Sequence, residues 1–112
     1  MKTKQIPIYR AACLLFEKVV YLADNFPRSR LRAFAPLIES STDLLLNIRN
    51  ANKSQKTRVE HCDKALDNVE IIELFSQAAF DTRTINNKAY AELIELTASV
   101  KRQAIGWKNS IK

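Results

Sequence analysis

The 112-residue sequence contains one glycine, three prolines, one tryptophan, one histidine and two cysteines. So few glycines and prolines exclude the many tight turns of a β-sandwich or β-barrel. A Gly-rich phosphate-binding loop is excluded for the same reason. Ala, Leu, Lys, Glu, Arg and Ile are frequent instead, which favours helix. The length is that of one small domain, and we expect a single all-α domain over residues 1–112.

The two cysteines, Cys13 and Cys62, form no CxxC pair and are too few for a disulfide framework. We expect two reduced thiols in the core of a cytoplasmic protein. The N-terminal MKTKQIPIYR lacks the apolar stretch of a signal peptide. The runs AACLLF and LLL are too short to cross a bilayer, so no membrane association is expected.

The residue patterns of most enzyme sites are also missing. The single histidine, His61, belongs to no Glu-x-x-His pair, and no Cys/His cluster has the spacing of a zinc site. A Cys13–His61 dyad would need a coincidence of packing, and we expect His61 at the surface. The sequence therefore predicts a non-enzymatic protein with no catalytic residues, no metal and no cofactor.

Apolar residues recur at spacings of three and four, the period of an α-helix. The pattern predicts four helices at about 8–25, 30–51, 55–80 and 85–111. Pro36 is expected to kink the second helix or to begin its regular part, and Ser54 and Thr84 are candidate N-caps. Short connections place consecutive helices antiparallel, so the expected fold is an up-down-up-down four-helix bundle.

Each predicted helix has one apolar stripe directed at the core, and Leu31 and Val59 belong to the second and third stripes. The stripe of the fourth helix is the most regular: Tyr90, Leu93, Thr97, Val100, Ala104, Trp107 and Ile111. Large apolar residues outside the stripes are Tyr21, Leu46, Ile71, Leu74, Ile85 and Ile94. A small monomer usually exposes less apolar surface, so these residues favour an oligomer.

The net charge of +6 and the isoelectric point near 9.6 indicate an anionic partner, most often nucleic acid. In the predicted bundle, residues 1–16, 44–59 and 96–112 supply the segments that meet at one end, and none of these segments contains Asp or Glu. We expect phosphate contacts there. The candidate residues are Arg10, Arg49, Lys53, Lys56, Arg58, Lys101, Arg102 and Lys108.

This basic end has an alternative interpretation, because bases near helix C-termini complement the helix dipole without binding a ligand. A second basic cluster is expected at the opposite end, where ion pairing with Asp24 and Asp81 and ligand binding are equal alternatives. Its members are Arg28, Arg30, Arg32, Arg83 and Lys88.

The third predicted helix carries an acidic stripe formed by Glu60, Asp63, Asp67 and Glu70. One interpretation is a solvated face with a helpful Glu60–Lys64 pair. The other is a contact surface for a basic partner or a neighbouring subunit.

The segment AIGWKNSIK contains the only glycine and the only tryptophan, at positions 106 and 107. Trp107 is in phase with the core stripe and is expected to plug the bundle at its basic end, with base stacking as the alternative. Gly106 costs a helix interior about 1 kcal/mol relative to alanine. We therefore expect another helix or subunit to approach closely at Gly106.

The run IPIYRAACLLFEKVVYLADNFPRSRLRAFAPLIESSTDLLLNIRNAN, followed by a charged third helix and a terminal Gly-Trp with a basic tail, resembles the accessory variability determinant (Avd) proteins of diversity-generating retroelements. These are related to four-helix proteins encoded in ribosomal RNA intervening sequences. The most specific points are Tyr9, the segment 26–29 (FPRS), Ile38-Glu39, the LLL…I…AN pattern at the end of the second helix, and Gly106-Trp107. Pro36 and the short C-terminal tail depart from the pattern.

The resemblance implies a four-helix bundle that assembles into a basic homopentameric barrel. It also implies a non-catalytic accessory subunit that binds the element's reverse transcriptase and its template RNA and supports mutagenic cDNA synthesis, with the cDNA as a further candidate ligand. The alternatives are a protein of the ribosomal intervening-sequence type or a purely protein–protein scaffold.

Overall fold

The computed structural model describes residues 6–110, and every regular element in this range is helical, which confirms the all-α prediction. The helices are α1 (Pro7–Ala23), α2 (Arg28–Ala33), α3 (Ala35–Lys53), α4 (Arg58–Asp81) and α5 (Asn87–Asn109), and a 3-10 turn (Gln55–Thr57) precedes α4. The described chain measures 44 × 21 × 21 Å. This shape is expected for long helices of about 1.5 Å rise per residue packed side by side.

The four long helices pack in a square in which α1 and α4 each contact α3 and α5. Contacts between distant positions give the directions. Lys18 of late α1 pairs with Glu92 of early α5. The ring centroids of Phe34 and Phe75, from the start of α3 and late α4, lie 6.3 Å apart. Phe80 at the end of α4 stacks on Tyr90 at the start of α5, so neighbouring helices run antiparallel.

The predicted second helix is divided at Phe34, whose φ and ψ of −103° and 18° separate α2 from α3. Pro36 lies in the first turn of α3, where a missing backbone N–H breaks no helical hydrogen bond. Phe34 is buried and its ring meets Phe26 edge-on at 5.9 Å. Pro36 thus begins the regular part of the helix, and the buried Phe34 anchors the bend.

The predicted N-caps are wrong. Ser54 precedes the 3-10 turn and makes no side-chain cap hydrogen bond, and α4 begins only after Thr57. The side chain that caps α5 is Asn86, whose Oδ1 accepts a 2.8 Å bond from the amide of Ala89. Thr84 instead shares a 2.8 Å hydroxyl contact with Thr82.

Thr84 does not cap α5 because of the way in which α4 ends. Arg83 has a left-handed φ of 60°, and its amide donates to the carbonyl of Phe80 while the amide of Thr84 donates to that of Ala79. This is the Schellman arrangement that satisfies the last carbonyls of a helix. The amide of Thr84 therefore takes part in the end of α4. The helix α5 begins at Asn87, two residues later than a cap at Thr84 predicts.

The core follows the predicted stripes in most places. In α5, four residues of the predicted stripe are buried, and Tyr90 and Trp107 are half-buried against the core. The buried four are Leu93, Thr97, Val100 and Ala104. Ile111 lies outside the described residues.

Four apolar residues are placed differently from the prediction. Leu31 and Val59 are 37% and 36% exposed, because they lie on the short α2 and in the first turn of α4. Ile85 is buried in the α4–α5 connection, and Ile94 is half-buried. The predicted exposure of Tyr21, Leu46, Ile71 and Leu74 is confirmed.

Candidate nucleic-acid interface

The start of α1, the α3–α4 connection and the last turns of α5 meet at one end of the bundle, which we call the basic end. Trp107 is the common element. One surface hollow beside it is lined by Ile6, Pro7, Asn52 and Arg58. The antiparallel directions of the helices produce this meeting, as the sequence predicted.

Five of the eight predicted phosphate-binding residues are exposed and form no ion pair with any residue between 6 and 110. They are Arg10, Arg49, Lys53, Lys56 and Arg102. Because their charges are neither buried nor neutralised by a described carboxylate, they are available to an external anion.

Arg58 has a role inside the bundle. Its Nε donates a 2.9 Å hydrogen bond to the carbonyl of Ala51, near the end of α3. Its guanidinium carbon lies 5.0 Å from the ring centroid of Trp107, a cation–π distance. The half-buried Arg58 therefore joins α3, α4 and α5 at the basic end.

Although the three segments contain no Asp or Glu, two of the candidate bases on α5 form ion pairs with acids of α4. Lys101 forms a 3.0 Å ion pair with Glu73, and Lys108 pairs with Asp63. The acids come from α4, which is remote in sequence but antiparallel to α5. A segment of sequence without acids can therefore still face acids of a neighbouring helix in the folded protein.

Among the described residues, two of the four acids in the stripe form ion pairs and two do not. Asp63 pairs with Lys108, and Glu60 forms the predicted pair with Lys64 at 3.3 Å. Asp67 and Glu70 remain exposed, with no ion pair to a described residue. Asp67 lines a shallow groove between α3 and α4, which also contains the exposed Leu46.

The opposite end of the bundle is basic too. Arg28, Arg32, Arg83 and Lys88 are exposed and Arg30 is half-buried. Within the described chain, none of them pairs with Asp24 or Asp81. Of the two predicted alternatives for this second basic cluster, local ion pairing is therefore absent among the described residues.

Gly106 and Trp107 differ in their surroundings. The indole is half-buried and packs on the core. Gly106 is exposed and has no left-handed φ, and a Cβ built on it would meet nothing within 4 Å apart from its chain neighbours and the local helix backbone. The expected close approach of another helix of this chain is therefore absent from the described residues, and the approach of another subunit stays a prediction.

Cys13 and His61 lie on helices that are diagonal to each other in the bundle, and Cys62 follows His61 on α4. Cys62 is buried as predicted, and burial raises the pKa of its thiol, so that it stays protonated at neutral pH. Cys13 is half-buried on α1, next to Tyr9, whose pKa is raised by burial and then by Cys13. His61 is half-buried on α4, diagonal to α1, and its Nδ1 has no hydrogen-bond partner in the described chain.

The described residues, 6–110, contain neither a metal-binding cluster nor a membrane-spanning helix. No group of three or more His, Cys, Asp or Glu side chains is placed to hold a metal ion. No helix in this range is both long and apolar enough to cross a bilayer.

Sequence reasoning missed the neighbours of the indole: Ile6, Pro7, Asn52 and Gln103. Pro7 at the first position of α1 was a readable helix-start signal, but the meeting of the three segments depends on the register between helices.

Comparison with family models, with curated proteins and with solved structures finds no match to this chain.

Proposed function

We propose that this protein binds RNA through its basic end and acts as a non-catalytic accessory subunit of a reverse transcriptase. One observation carries the proposal: Arg10, Arg49, Lys53, Lys56 and Arg102 are exposed and have no ion-pair partner in the described chain. Lys and Arg side chains that protrude from a folded surface in this way bind phosphates largely independently of base sequence.

The partner in this proposal comes from the resemblance to the accessory variability determinant proteins. It implies the reverse transcriptase and template RNA of a diversity-generating retroelement, with cDNA as a further candidate ligand. The cytoplasmic location is proposed from the two reduced cysteines. The resemblance also implies a homopentamer. Several large apolar side chains on the outer surface support assembly, and Leu14, Tyr21 and Leu74 are each more than half exposed.

A protein–protein scaffold is the second candidate, and the same exposed apolar residues favour it. A protein of the ribosomal intervening-sequence type is the third. Gene neighbourhood separates the first and third. An adjacent reverse-transcriptase gene with a template and variable repeat pair is expected, and a position inside a ribosomal RNA gene would contradict the partner assignment.

The RNA-binding proposal is tested by reversing Arg49, Lys53 and Lys56 to Glu. Arg58 stays unchanged because its bonds hold the bundle together. The variant should bind structured RNA at least about tenfold more weakly, since three phosphate contacts become repulsive. Fluorescence anisotropy measures the affinity, and circular dichroism confirms the fold.

The matched control reverses Arg28, Arg32 and Lys88 at the opposite end, which changes the net charge equally. Its affinity should fall much less. An unchanged affinity of the folded basic-end variant, or an equal loss in the control, would sink the assignment to the basic end. If the unmodified protein binds no RNA even at low salt, the scaffold candidate is favoured.

A further inference from the structure

A second hollow lies beside Trp107, on the side of Gly106. Its lining consists of Ile6, Pro7, Ile8, Gln103, Gly106 and Trp107. Among these side chains only the Gln103 amide and the indole N–H of Trp107 can form hydrogen bonds, so the hollow is largely apolar. It lies at the basic end, between the start of α1 and the last turns of α5.

The missing side chain at position 106 keeps this hollow open. The backbone of Gly106 is helical and does not need glycine, and glycine lowers helix stability relative to alanine. Apart from its two chain neighbours and the nearby backbone of α5, a Cβ there would meet no atom within 4 Å, so packing against the rest of the chain does not require glycine either. What the glycine provides is free space next to the indole.

The indole itself is held in place. The Arg58 guanidinium lies over its ring at 5.0 Å, and Arg58 is tied to the Ala51 carbonyl by a 2.9 Å hydrogen bond. The indole also packs on the core. Arg58 and the core thus fix the indole, and a flat ligand that meets the part of the indole lining the hollow would not have to order it first.

Cationic groups occupy the turns next to the hollow. Arg10 follows Pro7 by three residues on α1, and Arg102 precedes Gly106 by four residues on α5. Residues at these spacings lie on neighbouring turns of the same helix face. Both arginines are exposed and form no ion pair with a described residue. An anionic chain that passes over the hollow would meet a positive charge on each side.

We propose that this hollow accepts one unpaired nucleobase of a single-stranded RNA segment. The base stacks on Trp107 in the space left by Gly106, and Arg10 and Arg102 bind the phosphates on either side. Aromatic stacking accepts any base, because every base has a π-face. A base in a duplex is already stacked and paired, so the hollow selects single strands. The inference rests on the RNA binding proposed above and adds what the basic end recognises.

Trp107 is the only tryptophan, so its fluorescence reports directly on the hollow. A single-stranded oligonucleotide of about ten nucleotides, a typical site size, should quench the emission. An abasic strand with the same number of phosphates and a duplex should bind without comparable quenching. The abasic strand should bind about tenfold more weakly than the strand with bases, the loss expected for one stacked base.

Gly106→Leu fills the hollow without changing the charge, and Gly106→Ala is its matched control because a Cβ alone meets open space. The leucine variant should lose the quenching and bind the single strand about tenfold more weakly, with unchanged affinity for the abasic strand. The alanine variant should behave like the unmodified protein. Circular dichroism checks that both are folded.

The outcomes separate the two proposals. Equal affinity and equal quenching with the abasic strand would overturn the stacking inference, as would single-strand affinity that is the same in the leucine and alanine variants. RNA binding through phosphates would then still stand. If no oligonucleotide binds at low salt, both this inference and the RNA-binding function fail.

Discussion

Ser41 and Ser76 occupy positions in the core that apolar periodicity does not reveal, whereas the buried Thr97 lies in the predicted stripe of α5. Ser41 and Thr97 are fully buried and donate to carbonyls of their own helices, at 2.8 Å to Leu37 and 2.9 Å to Ile94. Ser76 is equally buried, but its hydroxyl has no hydrogen-bond partner among the described residues. A buried polar group without a partner loses its hydration and gains nothing in return.

Ser76→Ala is therefore expected to stabilise the protein by about 1 kcal/mol, through removal of an unsatisfied hydroxyl and the higher helix propensity of alanine. Urea denaturation measures the change. Ser41→Ala is the control, because it gains the same propensity but loses a satisfied hydrogen bond. A Ser76→Ala variant that is less stable than the Ser41→Ala variant would show that the Ser76 hydroxyl has a partner.

At the scale of elements, pairs of helices are joined by ion pairs whose partners are far apart in sequence. Lys18 of α1 pairs with Glu92 of α5, and the hydrogen bond from Lys18 is the main reason that the pKa of Glu92 is lowered. A carboxyl with a lower pKa in the folded state stabilises the fold above its unfolded pKa. This contribution is lost as the pH falls through the folded pKa.

Glu92→Gln should accordingly lower the melting temperature at pH 7, and the difference from the unmodified protein should shrink as the pH falls below the ordinary carboxyl pKa of 4.5. Thermal unfolding between neutral and acidic pH measures this. The control is Glu95→Gln on the same helix, since Glu95 is exposed and has no ion pair with a described residue. A pH-independent difference would contradict the assignment.

At the scale of the whole molecule, positive charge is concentrated at the two ends of the bundle. The acids of α4 neutralise part of the basic end through Lys101 and Lys108. They leave Arg10, Arg49, Lys53, Lys56 and Arg102 available. The number of bases that can release counterions from RNA is therefore smaller than the eight candidates read from the sequence.

The number of bases that contact phosphates determines how steeply RNA affinity falls with salt concentration. If those five bases contact phosphates of a single strand, affinity should fall about hundredfold between 50 and 200 mM salt. Anisotropy titrations at several salt concentrations give the slope. Lys108→Ala should hardly change that slope, because Lys108 is already paired with Asp63. A slope near that of seven bases would mean that RNA displaces the α4 acids from Lys101 and Lys108.

The sequence by itself determined the helices, most of the core and the end at which the basic segments meet. These depend on local periodicity and on short connections, which force consecutive helices to run antiparallel. Leu93, Val100 and Ala104 are buried as their spacing predicts. The core positions Ser41 and Ser76 escaped prediction because their side chains are polar and only the surrounding helices make them interior.

The tertiary structure alone decided which charges are free and which surfaces are open. Lys101 meets Glu73 because of the register between α4 and α5, and Arg58 covers Trp107 because the α3–α4 connection ends beside α5. The open space at Gly106 exists because the packing of the start of α1 against the end of α5 leaves a hollow there, lined by Ile6, Pro7 and Gln103. Each depends on distances between helices, and a single sequence does not contain those distances.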